Sequence, residues 1–211
     1  MTRDRAFGQE GRLTWADRLG IWLSKRQILR RAGGLRGKRI ADIGCGYHAR
    51  LALALLEGCE SAVLVDVALS PDLKRVGRLR CIEGTLPGAL AKIPTRSLDL
   101  VICNSVLEHL WEPVKSLRHF HRLLTPGGTA LLNVPSWRGK RFLEFSAFRL
   151  GLSPAREMDD HKCYYDPRDL WPLLVRAGFP PSGIRCFYHK GGLNTFAVCR
   201  KGGSTPRGGR V

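Results

Sequence analysis

A chain of 211 residues and 23.5 kDa, 44% apolar and 25% charged, is long enough for one large self-sufficient core, which excludes global disorder and any need for disulfide or metal staples. Its longest apolar runs, LALALL (51–56) and SAVLVDVAL (61–69), are too short to cross a bilayer as a helix. The net charge of +17 is concentrated at the ends: residues 1–39 hold 11 Lys/Arg against 3 acids and residues 200–211 hold 4 against none, leaving 20 against 15 between them, unlike a nucleic-acid reader with its basic stripe on the folded surface.

The opening MTRDRAFGQEGR is followed by no apolar h-region, so no secretory signal is expected. Residues 1–37 are expected to hold a basic amphipathic helix over 13–32, with Trp15, Leu19 and Trp22 at i, i+4 and i+7 and Leu23 widening the stripe. Gly33-Gly34 ends it. Such a helix suits peripheral contact with an anionic membrane. A domain over 38–200 follows, in which short apolar strands alternate with helices. KRIADI (38–43) predicts a strand, His48 to Glu57 a helix, SAVLVDV (61–67) a strand and RLRCIEG (78–84) a weaker one. SLDLVICN (97–104) predicts a strand, about 105–124 a helix restarted at Pro113, and GTALLNV (128–134) a strand after the Pro126-Gly127-Gly128 turn. This βαβ grammar implies a doubly wound, Rossmann-like parallel sheet with helices on both faces. After a helix at 167–177, GIRCFYHK and LNTFAVCRK flank Gly191-Gly192, a hairpin signal that adds an antiparallel pair. The Gly-rich basic tail 201–211 is expected to be disordered. Seven cysteines (45, 59, 81, 103, 163, 186, 199) form no CxxC pair and predict reduced, buried thiols in a cytoplasmic protein.

The first strand runs into Asp42-Ile43-Gly44-Cys45-Gly46, and the second ends at Asp66 about 20 residues on. Glycines there let the backbone turn sharply beside a ligand, and a terminal carboxylate can accept from both hydroxyls of a ribose. Gly44-x-Gly46-x-x-Ala49 also meets the loose dinucleotide fingerprint, so an NAD(P) oxidoreductase competes. Asp42 disfavours a pyrophosphate and suits a cofactor with a cationic end.

Four segments in order, IADIGCG (40–46), LVDV (64–67), SLDLVICNSVLEHL (97–110) and HRLLTPGGTALLNVPS (121–136), resemble motifs of the class I S-adenosylmethionine (SAM)-dependent methyltransferases, in particular the type 11 small-molecule branch. The resemblance covers roughly 38–200. It implies strand order 3-2-1-4-5-7-6 with strand seven antiparallel, SAM as cofactor, and cofactor contacts from Asp42, Gly44, Cys45, Gly46, Asp66, Val67, Glu83, Gly84 and Asn104. His48 stands where the family usually has a third glycine, and Glu83-Gly84-Thr85 where it has Gly-Asp. Glu83 is expected either to meet the adenine's amine or to be a surface acid.

Glu108-His109 follows strand four, so His109 either takes a proton from an acceptor hydroxyl or packs beneath the cofactor. Residues 136–166, rich in aromatics (Trp137, Phe142, Phe145, Phe148, Tyr164, Tyr165) and ending in Asp159-Asp160-His161, are expected to form a substrate lid with His161 as the other candidate base. No metal is expected, because the adjacent Asp159-Asp160-His161 has no second ligand cluster at typical spacing. The lid segment resembles enzymes of surface-polysaccharide biosynthesis, which implies a glycan hydroxyl as acceptor. An RNA acceptor met by the basic termini is the alternative.

Overall fold

The computed structural model describes residues 6–9, 15–142 and 161–203. Along the chain run α1 (Trp15–Arg31), β1 (Arg39–Ile43), α2 (Arg50–Leu56), β2 (Ser61–Asp66), β3 (Leu79–Glu83), β4 (Leu98–Asn104), α3 (Pro113–Leu123), β5 (Leu124–Pro135), α4 (Pro167–Arg176), β6 (Ile184–His189) and β7 (Asn194–Arg200). A helical stretch over 137–142 follows β5. The seven strands form one sheet in the order β3-β2-β1-β4-β5-β7-β6. All pairings are parallel except those of β7, which is antiparallel to both β5 and β6.

Alternation along each strand divides the core between two faces, as the two-residue period of a strand requires. Ile40, Leu100, Ile102 and Leu131 face Ile28 of α1 and Leu51, Leu55 and Leu56 of α2. Their neighbours Ala41, Ile43, Val101, Cys103 and Leu132 face Leu117, Phe120 and Leu123 of α3 and Leu170 and Leu174 of α4. Both faces of β1 and β4 are therefore covered, and a ligand can reach the sheet only at its ends. All seven cysteines are free thiols, three of them buried. Among the described residues no helix is long and apolar enough to cross a membrane.

Two local expectations are corrected. The helix expected over 105–124 begins only at Pro113. Ser105 adopts a left-handed φ of 57°, and a proline disfavours the helical basin for the residue before it, here Glu112 at φ −123°, ψ 65°. Glu108 and His109 consequently lie on a separate 3-10 turn, Leu107–His109. β5 starts at Leu124 rather than 128, because Leu124 already pairs with Leu98, and the Thr125–Gly128 stretch is a register shift within the strand. Lys201 pins that shift through backbone bonds with Gly127 and Gly128, and its ammonium donates to the His121 and Leu124 carbonyls at 2.8 and 2.7 Å.

The stripe of α1 faces solvent, Trp15 being 79%, Leu19 47% and Trp22 53% exposed. The buried face carries Ser24, Gln27 and Ile28. Two residues span about 200° of a helix, so burying Ser24 turns Trp22 outward.

Candidate active site

The C-terminal ends of β1, β2 and β4 meet around the first glycine turn. Gly44 adopts φ 72° and Gly46 φ 75°, conformations that glycine takes without steric cost. A Cβ on Gly44 would stand 2.1 Å from Val106 Cγ2, so no other residue fits beneath the β4 loop. The Gly44 amide donates to the Val65 carbonyl at 2.7 Å. Asp66, closing β2, clamps the turn: its carboxylate accepts from the Gly46 and Val67 amides, each at 2.7 Å. Cys45 tucks its thiol toward the Gly46 carbonyl at 3.5 Å, and burial followed by the nearby Asp42 and Asp66 charges pushes that thiol far up and keeps it protonated. At the third-glycine position, His48 packs edge-on to Tyr47 at 5.0 Å, and Ala49 carries the left-handed turn (φ 44°) that starts α2.

Asp42 lies under this turn, 1% exposed. Burial first, and then the negative field of Asp66, raise its carboxyl from 3.8 to about 7, against a stabilising hydrogen bond from the Ala52 amide. Its Oδ2 has no hydrogen-bond partner among the described residues. A buried, unsatisfied carboxylate oxygen calls for a functional explanation, and a ligand with a cationic end supplies one.

Glu83 and Gly84 sit beside Asp66 across the β2–β3 pairing. Glu83 accepts from the Leu69 amide at 3.0 Å and from Lys74 Nζ at 3.3 Å. The Leu69 bond, joined by Lys74, holds its carboxyl below the ordinary value against a smaller desolvation cost. The Gly84 amide donates to the Asp66 carbonyl at 2.9 Å. Asn104, closing β4, accepts at Oδ1 from Asn133 Nδ2 at 2.9 Å and from the Ser24 hydroxyl at 3.3 Å, which ties β4, β5 and α1 together at the sheet's end.

Two contributors escaped the sequence reading. Residues 6–9 lie over the glycine turn: the Phe7 carbonyl accepts from the Tyr47 amide at 2.9 Å and would stand 3.1 Å from a Cβ on Gly46. A lone phenylalanine among charged residues gives no periodicity to find this by. Ser24 and Asn133 were likewise passed over, since a serine on a helix and an asparagine in a strand are signals only once they face one another.

A second cluster stands after β4. The Lys162 and Cys163 amides donate to the Glu108 carbonyl at 2.6 and 3.2 Å, which draws residues 161–166 alongside the 3-10 turn. This brings the His109 and His161 rings to 4.9 Å, edge to face. His161 Nδ1 shares a hydrogen bond of 3.1 Å with the buried Tyr164 hydroxyl. The Glu108 side chain is 1% exposed, and its charge acts on Lys190, whose ammonium burial lowers to about 8 while Glu108 opposes the fall. Glu108, His109 and His161 bring one ligand atom each within 4.8 Å of one another, a grouping that spacing in the sequence did not show. Of the expected lid, Trp137, Phe142, Tyr164 and Tyr165 are described. Trp137 and Phe142 are exposed, Tyr164 and Tyr165 buried, while Phe145, Phe148, Asp159 and Asp160 lie outside the described residues.

Comparisons with known proteins agree with this geometry. Residues 18–181 match a family described as a methyltransferase domain. A ubiquinone biosynthesis O-methyltransferase of Bordetella avium is 28% identical over 165 residues, 73% of this chain and 67% of that protein. Among solved structures, the 1,6-didemethyltoxoflavin-N1-methyltransferase of Burkholderia thailandensis, with S-adenosylhomocysteine bound, is 19% identical with a TM-score of 0.64 over 89% of this chain and 80% of its own. The [4+2]-cyclase SpnF superposes equally well, at 16% identity and TM-score 0.64 over 95% and 87%, so the fold by itself does not name a reaction. The names of the sequence relatives carry a small-molecule acceptor, and they lend no support to a glycan, a nucleic acid or a membrane. The family match also sets aside the NAD(P) reading of the glycine turn. With 164 of 211 residues inside the family match, the chain belongs to the methyltransferase family and is a class I SAM-dependent methyltransferase.

Proposed function

We propose that this enzyme methylates a hydroxyl oxygen of a small-molecule acceptor, with His161 or His109 taking the proton. The carrying observation is the pairing of the two imidazoles at 4.9 Å, at the end of the sheet where the glycine turn also lies. SAM supplies a methyl group made electrophilic by its sulfonium. Asp66 accepts from the ribose hydroxyls while keeping its grip on the Gly46 and Val67 amides, since a carboxylate offers about four lone-pair sites. Asp42 faces the cationic end, Gly44, Cys45 and Gly46 supply the close backbone, and Glu83, Gly84 and Asn104 border the adenosine. The imidazole accepts the hydroxyl proton, the oxygen–methyl bond forms and the methyl–sulfur bond breaks. An imidazole takes a proton more readily from a phenol, near ~10, than from an aliphatic alcohol, which is a far weaker acid. Together with the relatives named for ubiquinone biosynthesis, this favours a phenolic acceptor over the glycan hydroxyl expected from the sequence. The lid reading of 136–166 is retained for its described ends, where Tyr164 positions His161.

The test compares His161→Ala and His109→Ala in SAM affinity and turnover on a panel of catechols, phenols and sugar nucleotides. Loss of the true base lowers turnover about 10²–10⁴-fold with SAM affinity retained. Wild-type turnover in both variants would refute histidine as the base, and turnover confined to sugar hydroxyls would refute the phenolic acceptor.

A further inference from the structure

A cavity of about 550 Å³ is walled by Trp137, Arg138, Lys140, Arg141, Asp166 and Arg168. Among the described residues, four cations and one carboxylate line it. That carboxylate is already engaged: Asp166 Oδ1 accepts from the Trp137 amide at 3.2 Å, and the side chain forms a capping box with Asp169 at the start of α4. Among the described residues, Arg168 has a long contact with its neighbour Asp169, at 3.9 Å. Arg138 lies over the Tyr188 ring at 5.2 Å, and neither Arg138 nor Arg141 has an ion pair among the described residues. So many like charges around one concavity repel one another unless an anion joins them. A surface merely kept soluble intersperses both signs.

The cavity is also connected to the reacting end. Trp137 packs on Tyr164 at 5.6 Å, and Tyr164 on His161 at 5.4 Å, with the Lys140 ammonium over both Trp137 and Tyr164 at 5.8 and 5.9 Å. Two ring-to-ring steps therefore separate the cationic cavity from the imidazole. The guanidiniums of Arg138, Arg141 and Arg168 exceed what one engaged carboxylate needs, and their planar forks suit the several oxygens of a phosphoryl group.

We propose that the cavity walled by Trp137, Arg138, Lys140, Arg141 and Arg168 is a binding site for a phosphoryl-bearing ligand, which anchors the acceptor while its hydroxyl reaches His161. The anchoring role rests on the hydroxyl-transfer reading above; the anion site does not. A phosphorylated soluble acceptor and an anionic phospholipid headgroup present the same chemistry, and the experiment separates them.

Calorimetry of the full chain with pyrophosphate, and flotation with phosphatidylcholine vesicles with and without phosphatidylglycerol, are run on wild type and on the Arg138→Gln/Arg141→Gln double variant. S-adenosylhomocysteine binding serves as the control for an intact fold. The expected result is saturable pyrophosphate binding that weakens with salt and falls at least tenfold in the double variant, with S-adenosylhomocysteine affinity unchanged. Should the double variant lose S-adenosylhomocysteine binding, Arg168→Gln takes its place with the same expectation. Vesicle binding that needs phosphatidylglycerol and is displaced by pyrophosphate assigns the site to a lipid headgroup; pyrophosphate binding without vesicle binding assigns it to a soluble ligand. Absence of both in wild type, or equal binding by the variant, overturns the proposal. Because no arm requires turnover, failure of the histidine mechanism leaves this result readable.

Discussion

Replacing Asp42 by asparagine should move stability and cofactor affinity in opposite directions. In the folded protein burial, then Asp66, lift the carboxyl from 3.8 to about 7. The native state therefore holds a proton that the unfolded chain has already lost between those two values. Where the native state binds more protons, stability falls as pH rises. The penalty is absent below about pH 4, grows toward pH 7 and is complete above it. At about 1.4 kcal/mol for each pH unit it comes to about 4–5 kcal/mol. An asparagine has the same shape, carries no charge and keeps an oxygen for the Ala52 amide; its buried amide nitrogen returns about 1–3 kcal/mol of that gain unless it finds an acceptor. Asp42→Asn should thus be at least as stable as wild type at pH 8, equal or slightly weaker at pH 4.5, and flatter between them. Its SAM affinity should fall tenfold or more, the loss of a charge-assisted contact worth about 1.5–3 kcal/mol. Denaturant unfolding from pH 4.5 to 8.5 under reducing conditions, paired with calorimetry, reads both effects. A variant destabilised more at pH 8 than at pH 4.5, with SAM affinity intact, would show that Asp42 is a structural carboxylate already compensated without a ligand.

Asp66→Ala should cost at least tenfold in SAM affinity and, beyond that, about 1–3 kcal/mol of stability, because the Gly46 and Val67 amides lose their acceptor; an unchanged melting temperature with weakened SAM would confine Asp66 to the ligand. Turnover is expected to survive chelation, since methyl transfer from a sulfonium is a direct displacement that alignment of acceptor, methyl and sulfur can carry, and among the described residues the Glu108 charge of the Glu108, His109 and His161 group is already partly answered by Lys190. If chelation abolished activity and a divalent cation restored it, those three residues would be the ligands and the proton-transfer role of the histidines would fall.

The strands and the glycine turn were legible because their signals are local, whereas the strand order came only with the family resemblance. Period-two apolar runs made β1, β2 and β4 visible, and Gly44, Gly46 and Asp66 are spaced by the strand–turn–helix–strand unit itself. The hairpin of β6 and β7 announced itself through Gly191-Gly192. Other features depended on what each segment found to pack against. Periodicity showed the Trp15, Leu19 and Trp22 stripe of α1 but not the opposite face that docks on the sheet, where Ser24 meets Asn104 and Ile28 enters the core. Residues 6–9 cover a turn some 40 positions away, and His109 and His161, 52 apart in the chain, meet because two amides of 162–163 bond one carbonyl of the 3-10 turn. Local backbone preferences and hydrophobic alternation are encoded within a few residues, so the sequence by itself determined the scaffold. Juxtapositions across the chain follow from close packing and hydrogen-bond satisfaction of the whole, and only the tertiary structure decided which histidines meet, where the cationic side chains gather and which carboxylates are buried.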